Sequence, residues 1–151
     1  MQTDRLIIRH FHMDDAGKLF MLLSDAAVMR YIEPPYSYKD TVSFLKTAGL
    51  GDAPLIYAVD DTQGRFVGYV IYHVYDESSY EIGWVLNKEM WHKGYAQELT
   101  KALVEDAKSK GRSLVIECVP EQLSTKRIAL AYGFAFCGNI DNCDVYRLNF
   151  H

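Results

Sequence analysis

The segment Trp91-His92-Lys93-Gly94-Tyr95-Ala96 leads into a long predicted helix but lacks the residues that usually cap a helix start. A helix leaves its first amide groups without internal partners, and Ser, Thr, Asp or Asn normally accepts their hydrogen bonds. Here a lysine and a histidine stand at the positive end of the helix dipole, where cations are disfavoured. Two interpretations follow: an external anion binds the bare amides, helped by Lys93 and the small Gly94, or water solvates them.

One glutamate, Glu117, stands where it could act as a general base, which accepts a proton from a reacting group. It interrupts the apolar run from Leu114 to Val119. Burial there would favour its protonated form and suit it to proton transfer. The alternative is an ordinary strand carboxylate that faces water or pairs with Lys or Arg.

The other reactive side chains form no convincing cluster. His10 and His12 lack further ligands at a suitable spacing, so no metal site is predicted. Cys118, Cys137 and Cys143 are an odd number without a repeated spacing, which indicates reduced thiols. The three-glycine dinucleotide pattern and the Gly-Lys-Ser/Thr phosphate loop are both absent from the sequence, so nucleotide binding by those routes is not supported.

The elements that must position these residues follow from hydrophobic periodicity and turn signals. Apolar runs predict strands over 5–9, 55–59, 66–75, 80–86, 114–119, 134–137 and 145–150. Apolar spacing of three and four predicts a helix from Asp14 through Ala26, a short helix capped by Ser37, and helices over 94–110 and 121–132. The middle strands should form an antiparallel meander, and the strand that follows the long helix should pair in parallel and lie centrally. A hairpin around Gly138-Asn139 and Asp141-Asn142 should join the last two strands.

Composition restricts the class of protein. The chain has 151 residues, of which 49% are apolar and 24% charged, which is typical of one globular domain. A net charge of −4 argues against a general nucleic-acid binder. The beginning of the chain lacks an apolar signal core, and no apolar run approaches the ~20 residues that span a bilayer. We therefore expect a cytoplasmic α/β protein with no nucleic-acid partner and no membrane partner.

Three stretches of the chain resemble the Gcn5-related N-acetyltransferase (GNAT) family. The run 81–86 followed by 91–98 resembles motif A, Gln/Arg-x-x-Gly-x-Gly/Ala, with Trp91 in the Gln/Arg place. That substitution is familiar in the branch similar to ribosomal-protein N-terminal acetyltransferases. The segment Thr3–Arg9, together with residues 14–16, resembles the opening of that branch. Pro120-Glu121-Gln122 with Thr125, Arg127 and Gly133-Phe134 resembles the second motif, in which Asn usually stands at Gln122 and Ser at Thr125.

The resemblance implies a single N-acetyltransferase domain over 1–151. Its fold would be the GNAT-like acyl-CoA N-acyltransferase fold: a mixed, mostly antiparallel sheet with helices on both faces and a splay between the fourth and fifth main strands. The co-substrate would be acetyl-CoA, with its pyrophosphate on the amides that open the long helix and its pantetheine arm in the splay. The residues implied to bind it are Trp84, Val85, Leu86, His92, Lys93, Gly94, Tyr95, Ala96, Gln97, Gln122 and Thr125.

The implied reaction is acetyl transfer to the primary amine of a small molecule or a protein N-terminus, by direct attack in a ternary complex. Glu117 stands where some family members carry a catalytic glutamate. Glu81, which opens the strand-like run ending at Leu86, stands where others keep their base, so the resemblance makes both candidate catalytic residues. For Glu81, as for Glu117, the alternative is a strand carboxylate that faces water or pairs with Lys or Arg. Several relatives have a tyrosine that acts as the general acid where this chain has Ala129. Tyr132, three residues further along, is the candidate to replace it, and packing against the core is its alternative role. Changing either glutamate to Gln should lower turnover and spare coenzyme binding.

The acceptor amine should enter beside the loop from Met29 to Tyr38, whose aromatic residues and Glu33 suit a cationic group. The resemblance does not fix the substrate, because one fold serves many functions. A non-catalytic acyl-CoA binding or sensing module is the alternative function, which would keep the amide cradle and lack the chemistry. Dimers are common in the family, so a homodimer is one assembly that the resemblance allows.

Overall fold

A seven-stranded sheet organises residues 1–150, which are the residues described by the computed structural model. Its strands are β1 (Leu6–Arg9), β2 (Ile56–Asp61), β3 (Phe66–Val74), β4 (Ser79–Leu86), β5 (Ser113–Cys118), β6 (Ala135–Ile140) and β7 (Cys143–Leu148). They lie in the order β1-β2-β3-β4-β5-β7-β6. Every neighbouring pair is antiparallel except β4 with β5, which is parallel. The predicted mixed, mostly antiparallel sheet is confirmed, as is the central parallel strand β5.

Five α-helices connect the strands. They are α1 (Ala16–Leu23), α2 (Ala26–Met29), α3 (Tyr38–Phe44), α4 (Tyr95–Ser109) and α5 (Leu123–Ala131). The predicted first helix is wrong in one respect, because it is two helices rather than one. The Asp25 carboxylate accepts hydrogen bonds from the Ala27 and Val28 amides and so starts a new helix. The predicted Ser37 cap of α3 is confirmed, since its hydroxyl accepts from the Asp40 amide.

The helices cover both faces of the sheet, as predicted. On one face α1 and the segment after α3 pack on β2 and β3, with Leu19, Leu22 and Leu45 fully buried. On the other face α4 and α5 pack on the sheet through Leu99, Leu103 and Ala129. Burial of one such leucine stabilises the fold by about 1.5–3 kcal/mol, so these contacts hold each helix against the sheet.

The sheet opens between β4 and β5. These strands pair only from Ser79 to Glu81 on β4 and from Ser113 to Val115 on β5. Beyond Glu81 the rest of β4 keeps its pairing with β3, up to Leu86 opposite Gly68. Within residues 1–150 the edge of β4 that faces β5 is therefore unpaired over 83–86. The predicted splay between the fourth and fifth strands is confirmed.

The last hairpin differs from its prediction. Asp141 and Asn142 have φ of 52° and 66°, which is the left-handed pair that a two-residue hairpin turn requires. Gly138 and Asn139, which the sequence also placed in the turn, lie inside β6 instead. Gly138 has φ of 125° and sits where the β6–β7 register shifts, so its role is a bulge.

Candidate functional site

Helix α4 begins without a side-chain cap. Gly94 precedes its first residue with φ of 79°, and no side chain of residues 1–150 accepts a hydrogen bond from the first amides of the helix. The left-handed backbone explains why glycine stands here. A Cβ on Gly94 would lie 3.5 Å from Arg5 Nη2, an ordinary contact, so the conformation rather than crowding selects glycine. The bare amides leave a partial positive charge at this end of α4.

The acid in the first turn of α4 is engaged elsewhere. Glu98 accepts hydrogen bonds from the backbone N–H of Arg5 (3.1 Å), from Arg5 Nε (2.7 Å) and from the Thr3 hydroxyl. Burial acts to raise the pKa of Glu98, but these three donors outweigh it and lower the pKa. Glu98 therefore joins the N-terminal segment to α4 as a carboxylate and does not cap the helix.

The approach to α4 is tied to the end of β4. Trp91 Nε1 donates a hydrogen bond to the Leu86 carbonyl at 3.0 Å. His92 follows with a left-handed φ of 62°, uncommon for a residue with a side chain. Trp91, in the Gln/Arg place of motif A, thus holds the helix start against the strand that borders the opening of the sheet.

A cavity of about 970 Å³ lies between the unpaired end of β4 and the first turns of α4 and α5. Ten of the eleven residues predicted to bind the coenzyme line it: Trp84, Val85, Leu86, His92, Gly94, Tyr95, Ala96, Gln97, Gln122 and Thr125. Lys93 is exposed and does not line it. The structure brings these residues together, and their roles in binding stay a prediction.

Gln122 lies directly before α5, at the second motif. Its Oε1 accepts a hydrogen bond from the Val119 amide at 3.1 Å, which fixes the side chain beside the end of β5. Its Nε2 has no partner within residues 1–150 and remains available as a donor. The longer amide thus still reaches the cavity, where the family places an asparagine.

Both candidate bases lie where β4 and β5 separate. Glu81 stands opposite Val115 at the last paired position, and Glu117 lies two residues further along β5. Since side chains alternate along a strand, both glutamates project from the same face of the sheet. His73 Nε2 on β3 is 3.4 Å from Glu81 Oε1. The hydrogen bond to Glu81 raises the pKa of His73 despite its burial.

The expected burial of Glu117 is wrong. Ile116 and Cys118 face the core at 1% and 3% exposure, whereas the intervening Glu117 projects from the opposite face and is exposed. Val115, two residues earlier on the same face as Glu117, is fully buried, so cover on this face ends between Val115 and Glu117. The Tyr75 hydroxyl donates a hydrogen bond to Glu117 Oε1 at 2.7 Å.

The position of the family's general acid is a core position here. Ala129 is fully buried under α5. Tyr132, the candidate to replace that tyrosine, donates a hydrogen bond from its hydroxyl to the Gln97 carbonyl at 3.0 Å and does not line the cavity. The structure therefore does not bring Tyr132 to the cavity.

A second cavity, of about 500 Å³, adjoins the first. It is lined by the segment after α2 together with Val119 and Glu121, and shares Arg30, Tyr31, Ile32 and Glu121 with the larger cavity. This segment belongs to the loop predicted to receive the acceptor amine. Within the loop the Tyr36 hydroxyl donates to Glu33, and burial together with that bond raises the pKa of Tyr36 to about 12.

Sequence reasoning gave no individual role to three residues of this region, although Arg127 lies in the second motif and Arg30 in the loop from Met29 to Tyr38. Arg127 lines the larger cavity from α5, and its signal was present as a basic residue inside the second motif. Arg30 lines both cavities from the end of α2. Tyr75 contacts Glu117 across 42 residues of sequence, a separation that no local pattern encodes.

Of the cysteines and histidines in residues 1–150, His92 alone lines the larger cavity. All three cysteines have free thiols, and burial raises the pKa of Cys118 to about 11, as for a structural thiol. Over residues 1–150 no three His, Cys, Asp or Glu side chains are grouped so as to hold a metal ion. None of the helices in that range is long and apolar enough to cross a membrane.

A mixed sheet that opens at its parallel pair, with an uncapped helix start beside the opening, defines the acyl-CoA N-acyltransferase class of fold. The chain belongs to the GNAT acetyltransferase family: the family model described as "Acetyltransferase (GNAT) domain" matches residues 5–135. The family predicted from the three motifs is confirmed.

Known relatives agree over nearly the whole chain. An uncharacterized N-acetyltransferase, YnaD of Bacillus subtilis (strain 168), is 28% identical over 145 residues, which cover 93% of this chain and 85% of the relative. A GNAT-family acetyltransferase from Bacillus anthracis has a crystal structure with TM-score 0.85 and 28% identity, covering 97% of this chain and 95% of that one. RimL, a ribosomal L7/L12 alpha-N-protein acetyltransferase in complex with coenzyme A, has TM-score 0.83, 17% identity and coverage of 98% and 96%. At 17% identity, the structural similarity to RimL is evidence that the two chains share a fold and nothing more.

Proposed function

We propose that the chain, as a single domain over 1–151, transfers an acetyl group from acetyl-CoA to a primary amine of a small molecule or a protein N-terminus. The amine attacks directly in a ternary complex. One observation carries the proposal: the uncapped start of α4 and the unpaired end of β4 line the same cavity. The start of α4 supplies hydrogen-bond donors for a diphosphate, and the unpaired end of β4 supplies backbone groups for an extended arm.

The donor half of the site fits coenzyme A in its chemistry. The amides from His92 to Gln97 surround the positive end of α4, which favours a diphosphate. The unpaired backbone of Trp84, Val85 and Leu86 can pair with the amides of a pantetheine arm as an added strand pairs with a sheet edge. Gln122 and Thr125 flank that arm from α5, and Lys93 adds positive charge from the exterior.

The catalytic half needs a group that takes a proton from the amine. Acetyl-CoA, when bound, supplies the acetyl group as an activated thioester. Glu81 and Glu117 border the point where β4 and β5 separate and are the candidates for the base. A backbone amide near Val85 or Leu86 is the proposed donor to the thioester oxygen. Overall the thioester C–S bond and an N–H bond of the amine break, an N–C bond forms, and the proton leaves on the coenzyme sulfur as a thiol.

The direct test is a screen of amines with acetyl-CoA in which released thiol is detected. The panel contains amino acids, polyamines, aminoglycosides and peptides with free N-termini. Thermal shift with acetyl-CoA at 100 times its Kd should show about 2.7 kcal/mol of stabilisation, with ATP and NAD as controls. Binding without thiol release from any amine would favour the acyl-CoA binding or sensing module, and absence of binding would contradict both functions.

A further inference from the structure

We propose that Tyr75 is a positioning residue that holds Glu117 in the orientation needed to accept a proton from the attacking amine. The inference rests on the proposed acetyl transfer and assigns the base role to Glu117 rather than Glu81. Its basis is the contact between Tyr75 and Glu117 where β4 and β5 separate.

Tyr75 reaches Glu117 across one strand. It directly follows β3, and β4 lies between β3 and β5 in the sheet. Its backbone N–H donates to the Ser79 carbonyl at 2.9 Å, which anchors the residue at the start of β4. From there its hydroxyl donates to Glu117 Oε1 at 2.7 Å. A short hydroxyl–carboxylate bond is charge-assisted and hence stronger than a neutral one.

The ring of Tyr75 is itself held in place. The Arg147 guanidinium carbon lies 5.6 Å from the ring centroid, a cation–π distance. Arg147 in turn donates to Asp76 Oδ2 and to the Ser79 hydroxyl, both at 3.2 Å. Ser79 is fully buried, so this support belongs to the rigid part of the sheet. Tyr75 is therefore a fixed donor rather than a mobile surface tyrosine.

Glu117 gains a defined orientation from this bond. Its side chain is exposed and has three rotatable bonds, so without a partner it would sample several rotamers. Tyr75 has a single proton to donate and gives it to Oε1, while Oε2 has no hydrogen-bond partner within residues 1–150. The bond to Glu117 raises the pKa of Tyr75 to about 12, so the hydroxyl keeps its proton throughout the neutral range. Oε2 is left to accept a proton from the amine.

Glu81 has a different neighbour. Its Oε1 lies 3.4 Å from His73 Nε2, and it meets no tyrosine hydroxyl in the described part of the chain. The titratable and charged groups around Glu117 come from the end of β3 and its turn, from β4 and from β7. They are Tyr75, Glu81, Cys143 and Arg147. Of these, Tyr75 is the group bonded to Glu117.

The test replaces Tyr75 with Phe, which removes only the hydroxyl. With an amine accepted by the wild type, Tyr75→Phe should lower kcat about tenfold or more, because small displacements of a catalytic group are costly in rate. The KM for acetyl-CoA should stay within twofold, since Tyr75 does not line the coenzyme cavity. Tyr80→Phe is the matched control, because Tyr80 packs on the opposite face against Tyr72. It should keep wild-type kcat.

A double variant separates positioning from a structural effect. In the Glu117→Gln background, Tyr75→Phe should lower kcat no further, because both changes act on the same group. An additional loss there, or a wild-type kcat in Tyr75→Phe, would overturn the proposal while leaving acetyl transfer intact. Thermal melting of each variant verifies that it is folded. A wild type that releases no thiol with any amine would instead overturn the proposed function, and this inference with it.

Discussion

At the scale of single residues, the two candidate bases differ in their partners. Glu81 faces His73, whose raised pKa favours the imidazolium and thus a neutralised pair. Glu117 Oε1 accepts a hydrogen bond from the neutral Tyr75 hydroxyl, and its Oε2 has no hydrogen-bond partner among residues 1–150. The contact with Tyr75 gives Glu117 a defined orientation, and this geometry is the reason we propose Glu117 as the base.

We expect Glu117→Gln to lower kcat about 100-fold or more and Glu81→Gln to lower it less than tenfold. Glutamine keeps the size of each side chain and removes its capacity to take a proton. Isothermal titration with coenzyme A should give unchanged affinity for both variants, because neither glutamate lines the coenzyme cavity. A larger loss of kcat in Glu81→Gln would transfer the base role to Glu81.

Ten of the eleven residues that local motifs implied for coenzyme binding line the larger cavity, whereas those motifs did not predict long-range contacts. The run from Trp91 to Gln97 is continuous in sequence, and the missing cap could be seen from residue types alone. The exposure of Glu117 could not be seen, because an apolar run does not tell which sheet face a helix covers. The Tyr75–Glu117 bond depends on strand order, which no short pattern records.

At the scale of elements, the start of α4 offers a test of diphosphate binding. We expect Gly94→Asp to weaken coenzyme A binding at least tenfold, since it places a negative charge beside the bare amides. Both Asp and Asn tolerate the left-handed backbone found at Gly94, and a Cβ there has ordinary room. Gly94→Asn is therefore the matched control of equal size without the charge, and it should bind more tightly than Gly94→Asp. Equal affinity of the two variants, measured by calorimetry, would contradict an anion site at this helix end.

The pairing of β3 with β4 depends on Gly68. A Cβ on Gly68 would lie 2.1 Å from the Val85 carbonyl oxygen and 2.8 Å from Leu86 Cα. Both are backbone atoms of the strand that borders the cavity, and the φ of 152° further disfavours a side chain. Only glycine lets β3 approach this end of β4 so closely.

We expect Gly68→Ala to lower the free energy of unfolding by about 3 kcal/mol or more, because the clash is with backbone. Gly17→Ala is the matched control, since a Cβ on Gly17 in α1 meets nothing within 4 Å. It should raise stability by about 0.5–1 kcal/mol through its helix preference. Urea unfolding measures the free energy of unfolding of both variants. Similar values for the two would contradict the expected clash, because they would show that β4 can move away from the added Cβ.

At the scale of the whole molecule, periodicity predicted the order of strands and helices but not how the sheet is assembled. The break between α1 and α2 was missed because the leucine spacing continues past Ser24, and only the Asp25 cap separates the helices. The insertion of β7 between β5 and β6 is a long-range arrangement. The splay was predicted from the family resemblance, since hydrophobic periodicity contains no record of where pairing stops.

Carboxylates with lowered pKa are distributed over the whole fold. They are Asp15, Asp61, Asp76, Glu98, Asp106 and Asp144. For Asp76, hydrogen bonds from the Ser78 amide and the Ser79 hydroxyl, with Arg147 nearby, lower the pKa to about 2. A carboxylate whose folded pKa lies below its unfolded value of about 3.9 stabilises the fold above that value. The contribution is lost as the pH falls through the folded pKa, so the chain should lose stability in acid below about pH 4.

The ion cluster at Arg9 tests this acid dependence at one site. Arg9 pairs with Asp15 at 2.8 Å and with Asp60 at 2.7 Å, joining β1 to β2 and to the turn before α1. Burial acts to raise the pKa of Asp15, but the bonds from Arg9 and from the His12 amide outweigh it and lower the pKa. Asp15→Asn should lower the free energy of unfolding at pH 7 by about 1–3 kcal/mol, since charged hydrogen bonds are lost. The difference in free energy of unfolding between the wild type and Asp15→Asn should narrow as the pH falls below about 4, because the wild type then loses the same charge.

Asp14→Asn, which changes an exposed neighbour of Asp15, is the control, and its free energy of unfolding should stay within about 0.5 kcal/mol of the wild type. A gap between wild type and Asp15→Asn that is constant from pH 7 to pH 2 in urea unfolding would show that the Asp15 charge does not stabilise the fold.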